Sequence, residues 1–296
     1  MRLANINGRA HAAFRDRFVD LAAASAHALP ADPMAYVNAV QRAKAGAFLD
    51  SRDDHPGVVP ALPEFGPPIP RPGKILAVAL NYREHAAESQ KAVPDEPAVF
   101  SKLTSSLCGP YDAIEVPVDC EMVDYEAEVV VVVGTRMRGI HPVEAWSCIA
   151  GITAGQDISD RHEQRRAPLA QFSLAKSYDT FSPTGPVMTT LDEFDDRDDI
   201  AVSGSVSGTV VQRGTTAQLI YSIPELVAWT CRYVTLEPGD LIFTGTPDGV
   251  GARRRPPIYL AEGMTLETTV SRVGTMHNRV VAVGGVVASE KAVDAR

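Results

Sequence analysis

Five consecutive valines, Val129 to Val133, limit what this chain can fold into more than any other stretch. Valine is branched at Cβ, stiff in rotamer and favoured in strands. Strand side chains alternate between two faces, so an unbroken apolar run must be covered on both. The run is entered through Asp124-Tyr125-Glu126-Ala127-Glu128. At a period of two, Glu126 and Glu128 project to one face, with Tyr125 and Ala127 on the other. Adjoining like charges beside a buried strand repel each other and lose hydration. A positive partner must offset that cost, either a divalent cation or a nearby Lys or Arg. A wetted Glu face is the alternative, and the valines argue against it. A third acid, Asp157, follows another apolar run, Ile149 to Gly155. A donor set of carboxylates without Cys or His favours Mg²⁺, with Mn²⁺ or Ca²⁺ as alternatives, over Zn²⁺ or Cu²⁺.

The chain of 296 residues is long enough for one large domain, alone or with a small one. Its formal net charge of -9 argues against a nucleic-acid-binding surface, which needs a clustered positive footprint. Arg253-Arg254-Arg255 is the one short basic cluster and reads as a solvated loop or a small-anion contact. No apolar run approaches the roughly 20 residues that span a bilayer, and the N-terminus lacks an apolar signal core. The four cysteines, Cys108, Cys120, Cys148 and Cys231, have no zinc-like spacing and read as buried thiols. These features together suggest a cytoplasmic protein with neither membrane nor nucleic-acid partners.

Residues 1–70 are expected to form a small N-terminal α/β domain with a strand over Arg2–Ile6, an Ala-rich stretch and a helical pattern from Pro33 to Phe48. The domain ends in a Pro-rich linker, since prolines at the density of residues 56–72 sustain neither helix nor central strand. Residues 71–296 are expected to form a β-rich main domain. Its strands are predicted at Lys74–Leu80, Asp240–Thr244, Thr265–Val273 and Val280–Val287, and its helices at His141–Ile149 and Ile223–Tyr233. The acidic stretch Leu191–Asp199 suits a solvated loop. The fold class is therefore α+β and β-rich.

Further motifs follow in order: Asn81-Tyr82-x-x-His85-x-x-Glu88, Phe100-Ser101-Lys102, the Asp124–Glu128 stretch, Asp157-Ile158-Ser159 with Arg161 and Gln164, and Lys176-Ser177-Tyr178-Asp179. Thr244-Gly245-Thr246-Pro247-Asp248-Gly249-Val250-Gly251 and Gly274-Thr275-Met276-His277-Asn278-Arg279 complete the series. Each alone is weak, but seven in this order make the chain resemble the fumarylacetoacetate hydrolase family over about Lys74–Val281. The resemblance implies a mixed β-sandwich roll, usually a homodimer. It implies Glu126, Glu128 and Asp157 as metal ligands, and Lys176 as a catalytic lysine beside the metal. It implies His85 and Glu88 as a catalytic dyad, and Arg161, Gln164, Thr246, Lys102 and Tyr82 as substrate contacts. His85 and Glu88 are three apart, hence neighbours on a helical turn, and a carboxylate beside an imidazole orients it and raises its basicity. Departures from the family pattern, such as Asp160-Arg161-His162 and Phe172, fall where the substrate pocket is shaped.

The expected activity is hydrolysis of a C–C bond in a small acylpyruvate-like 2,4-dioxo acid. Keto–enol isomerisation of a 2-hydroxy-diene diacid and decarboxylation of an oxaloacetate-like acid are alternatives on the same site. Passive binding of an oxo-acid is a fourth reading, and it gives the His85–Glu88 pair nothing to do.

Overall fold

The computed structural model describes residues 1–90, 92–166 and 168–284. The valine run lies in the strand Ala127–Val133, every residue of which is buried. It sits inside the larger sheet, paired antiparallel with Ile149–Gln156 on one side and with Leu241–Phe243 on the other. Leu241–Phe243 in turn pairs parallel with Ile75–Ala79, and Ala98–Lys102 forms that edge. A second sheet of five strands runs in the order Thr209–Thr215, Ala201–Val206, Thr265–Val270, Gly274–Val283, Ile114–Pro117.

Alternation distributes the valines between two cores. Val129, Val131 and Val133 pack with Val202, Val270 and Met276 of the second sheet and with the helix Ile223–Tyr233. Val130 and Val132 pack with Ile75, Phe243 and the N-terminal residues Leu3, Tyr36 and Leu49. Both faces of the strand are therefore covered, by a sheet on one side and by N-terminal elements on the other.

The N-terminal segment enters the same sheet: Arg2–Ile6 pairs with Ser182–Thr189 through Leu3 and Met188, and Arg9–Phe14 and Arg17–Asp20 extend the sheet outward. The Pro-rich stretch is not loose, because Phe65 and Gly66 pair with Ile6 and Asn5. The expected boundary at residue 70 is thus not a boundary of the sheet.

Several elements differ from expectation in extent. The helical pattern from Pro33 breaks at Asn38, whose side chain accepts a hydrogen bond from the Val40 N–H at 2.8 Å and so caps a new helix, Ala39–Asp50. The segment after His141 is a 3₁₀ helix, Pro142–Cys148, short enough for tighter winding to prevail. The helix Ile223–Tyr233 forms as predicted, opened by a capping box between Ser222 and Glu225. The last strand spans Gly274–Val283, and the end of the predicted Val280–Val287 segment lies outside the described residues. All four cysteines are free; Cys108 and Cys231 are buried, whereas Cys120 and Cys148 are half-buried. Among the described residues no helix is long and apolar enough to cross a membrane.

Gly155 lies on the strand paired with the valine strand, where no side chain fits. A Cβ there would lie 2.6 Å from both Phe243 Cε1 and Val130 Cγ2. Gly155→Ala is expected to lower stability by about 1–3 kcal/mol through overpacking, seen as a lower denaturation midpoint at unchanged slope.

Candidate active site

The site forms where the central strands end. Ala127 is in register with Gln156, so the next residue outward on one strand, Glu126, meets the next on the other, Asp157. The Asp157 N–H donates to the Glu126 carbonyl at 2.9 Å. Glu128 lies on the same side of its strand as Glu126. Oxygen atoms of Glu126, Glu128 and Asp157 all fall within 4.8 Å of one another, and all three residues are buried. The structure places Glu126 and Glu128, paired by the period of two, beside Asp157, the acid that follows the second apolar run.

These acids belong to a buried chain of alternating charge. Arg161 bonds Asp124 at 2.8 Å and Glu126 at 2.6 Å. Lys176 bridges Glu126 and Asp157, each at 2.6 Å. Lys102 takes the other Asp157 oxygen at 2.6 Å. Glu128 is the member left over. It accepts from the Gly245 N–H at 2.7 Å, and among the described residues it forms no ion pair. Four carboxylates thus face three cations, all of them buried.

The charge states follow from this arrangement. Burial alone would raise the Glu126 carboxyl, but Arg161 and Lys176 outweigh it and hold Glu126 well below the usual carboxylate range. Burial pushes Glu128 far up, and the negative charges of Asp157 and Glu126 push it further. Burial lowers Lys102 despite Asp157, whereas Asp157 and Glu126 outweigh burial at Lys176 and raise it. The unbalanced Glu128 is the observation that tests a cation here. A hard, oxygen-only donor set with one uncompensated carboxylate fits a divalent ion such as Mg²⁺ or Mn²⁺. Each carboxylate oxygen has two lone-pair sites, so those bonded to Lys176 keep capacity for a ligand.

The carboxylates line a cavity of about 200 Å³ whose walls include His85, Phe100, Lys176 and Thr246. That volume is below the common range of roughly 300–1,000 Å³ and suits a small molecule. His85 lies on the six-residue helix Arg83–Glu88, and its Nδ1 is 3.2 Å from Glu88 Oε2. The other Glu88 oxygen accepts from the Gly249 N–H at 3.1 Å, which ties this helix to the Gly-rich turn. Bonding at Nδ1 leaves Nε2 as the ring nitrogen for chemistry in the cavity.

The remaining sequence-predicted residues divide. Arg161, Gln164 and Thr246 line the cavity. Gln164 accepts from Arg161 at 2.9 Å, and the Thr246 hydroxyl is donated to the Ala127 carbonyl at 2.9 Å. Lys102 and Tyr82 are not on the cavity wall. Lys102 is buried behind Asp157, where its second bond is to the Phe181 carbonyl at 3.0 Å, so it acts on the ligand set rather than on a ligand. Tyr82 is fully buried among apolar residues of the core.

Asp124 was not among the predicted site residues. Its carboxylate accepts from Arg161 and from the N–H groups of Tyr125, Gly251 and Ala252, the last two at 2.7 and 3.0 Å. It therefore clamps the Gly-rich turn to Arg161. The same period of two that pairs Glu126 with Glu128 reaches Asp124, and that was the available signal. Gln212 is a second unpredicted brace. It accepts from the Ala127 N–H at 2.9 Å and donates to the Thr246 hydroxyl at 2.7 Å.

Asp124→Ala removes the partner of the Arg161 Nε–H and of the buried Tyr125 and Gly251 amides, and is expected to cost about 3–5 kcal/mol in a denaturant titration. A divalent cation that needs ionised Glu128 must displace the proton favoured by that residue's raised pKa. Affinity for Mg²⁺ or Mn²⁺ is therefore expected to rise with pH and to fall sharply in Glu128→Gln. Calorimetric titrations at several pH values measure both effects; a pH-independent affinity would count against Glu128 as a ligand.

Comparison with known proteins agrees with this geometry. Residues 74–281 match the model of the fumarylacetoacetate (FAA) hydrolase C-terminal family. The human mitochondrial oxaloacetate tautomerase FAHD2A is 39% identical over 227 residues, covering 75% of this chain and 72% of that protein. A solved Mycobacterium smegmatis chain, provisionally named an HpcE protein, superposes with a TM-score of 0.87 at 39% identity, covering 96% of this chain and all of its own. The maleylpyruvate hydrolase of Sphingobium sp. SYK-6, solved with manganese(II) and pyruvate, superposes with a TM-score of 0.78 at 27% identity, covering 95% of this chain and 99% of its own. By fold, ordered motifs and sequence, the chain belongs to the fumarylacetoacetate hydrolase family of enzymes.

Proposed function

We propose that the protein is a divalent-cation-dependent tautomerase that interconverts the keto and enol forms of a small, oxaloacetate-type 2-oxo acid. The carrying observation is Glu128, the unpaired carboxylate of a buried ion network that floors a small cavity with His85 on its wall. The human relative at 39% identity, named an oxaloacetate tautomerase, supports the choice of reaction. The manganese and pyruvate in the maleylpyruvate hydrolase structure support a divalent cation and a 2-oxo acid in a related site.

Glu126, Glu128 and Asp157 would hold the cation, which supplies a Lewis acid for ligand oxygens. With a dication the network passes from one negative charge in excess to one positive, which favours an anionic ligand. His85 Nε2 takes the proton from the carbon next to the 2-oxo group. Glu88, on Nδ1, fixes the ring and stabilises the imidazolium. The C–H electron pair becomes the new C=C bond while the C=O π pair moves to oxygen. The Lys176 ammonium lines the same cavity and lowers the cost of that charge until the oxygen takes a proton from solvent and His85 gives up the one it holds. Arg161 holds Asp124, Glu126 and Gln164 through three of its five N–H groups, which keeps the site rigid and leaves donors on the cavity wall for a ligand.

A second reading keeps the same residues and lets His85 and Glu88 activate water against a distal carbonyl, which gives C–C hydrolysis of an acylpyruvate. The likeness to maleylpyruvate hydrolase favours it.

His85→Ala should lower enzyme-catalysed ketonisation of oxaloacetate by about 10²–10⁴-fold while cation binding is unchanged. The loss of enol absorbance reports the first and calorimetry the second. Full activity in His85→Ala would refute the role. Release of two acids from an acylpyruvate, with no effect on oxaloacetate tautomerisation, would establish the hydrolase reading instead.

A further inference from the structure

Two arginines at the mouth of the cavity have no role in the chemistry so far. Arg165 directly follows the helix Arg161–Gln164, and Arg253 ends the 3₁₀ turn Gly251–Arg253. Both line the same cavity as the carboxylates, and both side chains are exposed. Neither forms an ion pair or side-chain hydrogen bond among the described residues. Their sequence neighbours do. Arg166 pairs with Glu163 at 3.1 Å, and Arg254 holds the Tyr125 hydroxyl at 3.0 Å and the Gly249 carbonyl at 3.1 Å.

Asp124 sets the two arginines against each other. It bonds Arg161 at the head of one element and the Gly251 and Ala252 amides just before Arg253 in the other. Arg165 is close enough to Arg161 and Arg253 for their charges to add to burial in lowering its pKa. In a chain of net charge -9, two like charges are thus held near one another, and the nearby acid, Asp124, is already bonded to Arg161 and to backbone amides. Their mutual repulsion is relieved by an anion in the cavity.

We propose that Arg165 and Arg253 form a distal anion subsite that reads a second carboxylate, so that the enzyme selects 2-oxo diacids over 2-oxo monoacids. The carboxylate triad end takes the 2-oxo acid group and the arginines take the far carboxylate, Arg by a planar fork that matches it. This rests on the 2-oxo acid reading above and deepens it.

The test compares oxaloacetate with its 4-methyl ester, which keeps the 2-oxo acid end and removes the far charge. Both are measured on the wild type, Arg165→Gln, Arg253→Gln and the double variant, with Mg²⁺ present. One readout is displacement of oxalate, a probe of the triad end alone, followed by calorimetry; the other is KM and kcat for ketonisation. The wild type is expected to prefer the diacid by about tenfold or more, since a charge-assisted contact is lost in the ester. The double variant should lose that preference, through KM rather than kcat, with oxalate affinity unchanged. Diacid and ester weakened equally, oxalate weakened alongside them, or no diacid preference in the wild type would each overturn the subsite. If oxaloacetate displaces oxalate better than its ester but is not turned over, the subsite stands and the tautomerase reading fails.

Discussion

Charge buried at the end of an apolar strand is the constraint on which the rest of this molecule depends. Val129 to Val133 must be covered on both faces, which draws a second sheet to one side and the N-terminal elements to the other. That cover also removes water from Glu126, Glu128 and Asp157. Ionised carboxylates so placed are tolerated only when paired. Arg161, Lys176 and Lys102 meet the requirement for two of the three, and each is brought in by a different segment. Replacing this network by apolar residues would relieve the desolvation cost, and in many proteins such a change is neutral or stabilising. Its retention here, with one carboxylate left over, makes sense as a cation site and not as a source of stability.

Much of this was legible in the sequence because it rests on short-range rules. The valine strand, the shared face of Glu126 and Glu128 and the His85–Glu88 spacing follow from periods of two and near four. What could not be read was long-range. Nothing local to Arg2–Ile6 shows that it pairs with Ser182–Thr189, and the prolines before Lys74 made that segment look detached. Lys102 and Lys176 look alike in sequence, yet one braces Asp157 from behind while the other lines the cavity. Which side of a carboxylate a lysine approaches is decided by packing. Asp124 was within reach of the period-two argument, but three of its four partners, Arg161 and the Gly251 and Ala252 amides, lie in segments that only folding brings near.

His85 is carried differently from the ligand set. The carboxylates stand at the ends of central strands, whereas the imidazole sits on a helix of six residues that has no side-chain cap. So short a helix is not stable by itself. Glu88 compensates with both oxygens, one on His85 and one on the Gly249 N–H. The acid that bonds the imidazole therefore also fastens its helix to the Gly-rich turn. Gly249 itself has φ of 97°, a conformation that only glycine adopts at little cost, so the turn that receives Glu88 depends on that residue type.

The two ends of the cavity consequently differ in how freely they can change. Altering the triad end unpairs a buried charge and threatens the fold along with the chemistry. Arg165 and Arg253 are solvent-exposed and, among the described residues, carry no structural bond through their side chains, so substitution there is expected to cost the fold little. Relatives named as isomerase, hydrolase and tautomerase share this fold, and an asymmetry of this kind would let the acid change without disturbing the buried network. On the proposed reading, the reaction's charge is handled where the core enforces geometry, and the choice of acid is made where the core has no stake. In this chain Asp124 joins the two regimes: buried itself, it holds Arg161 over the ligands and sets the turn from which Arg253 extends.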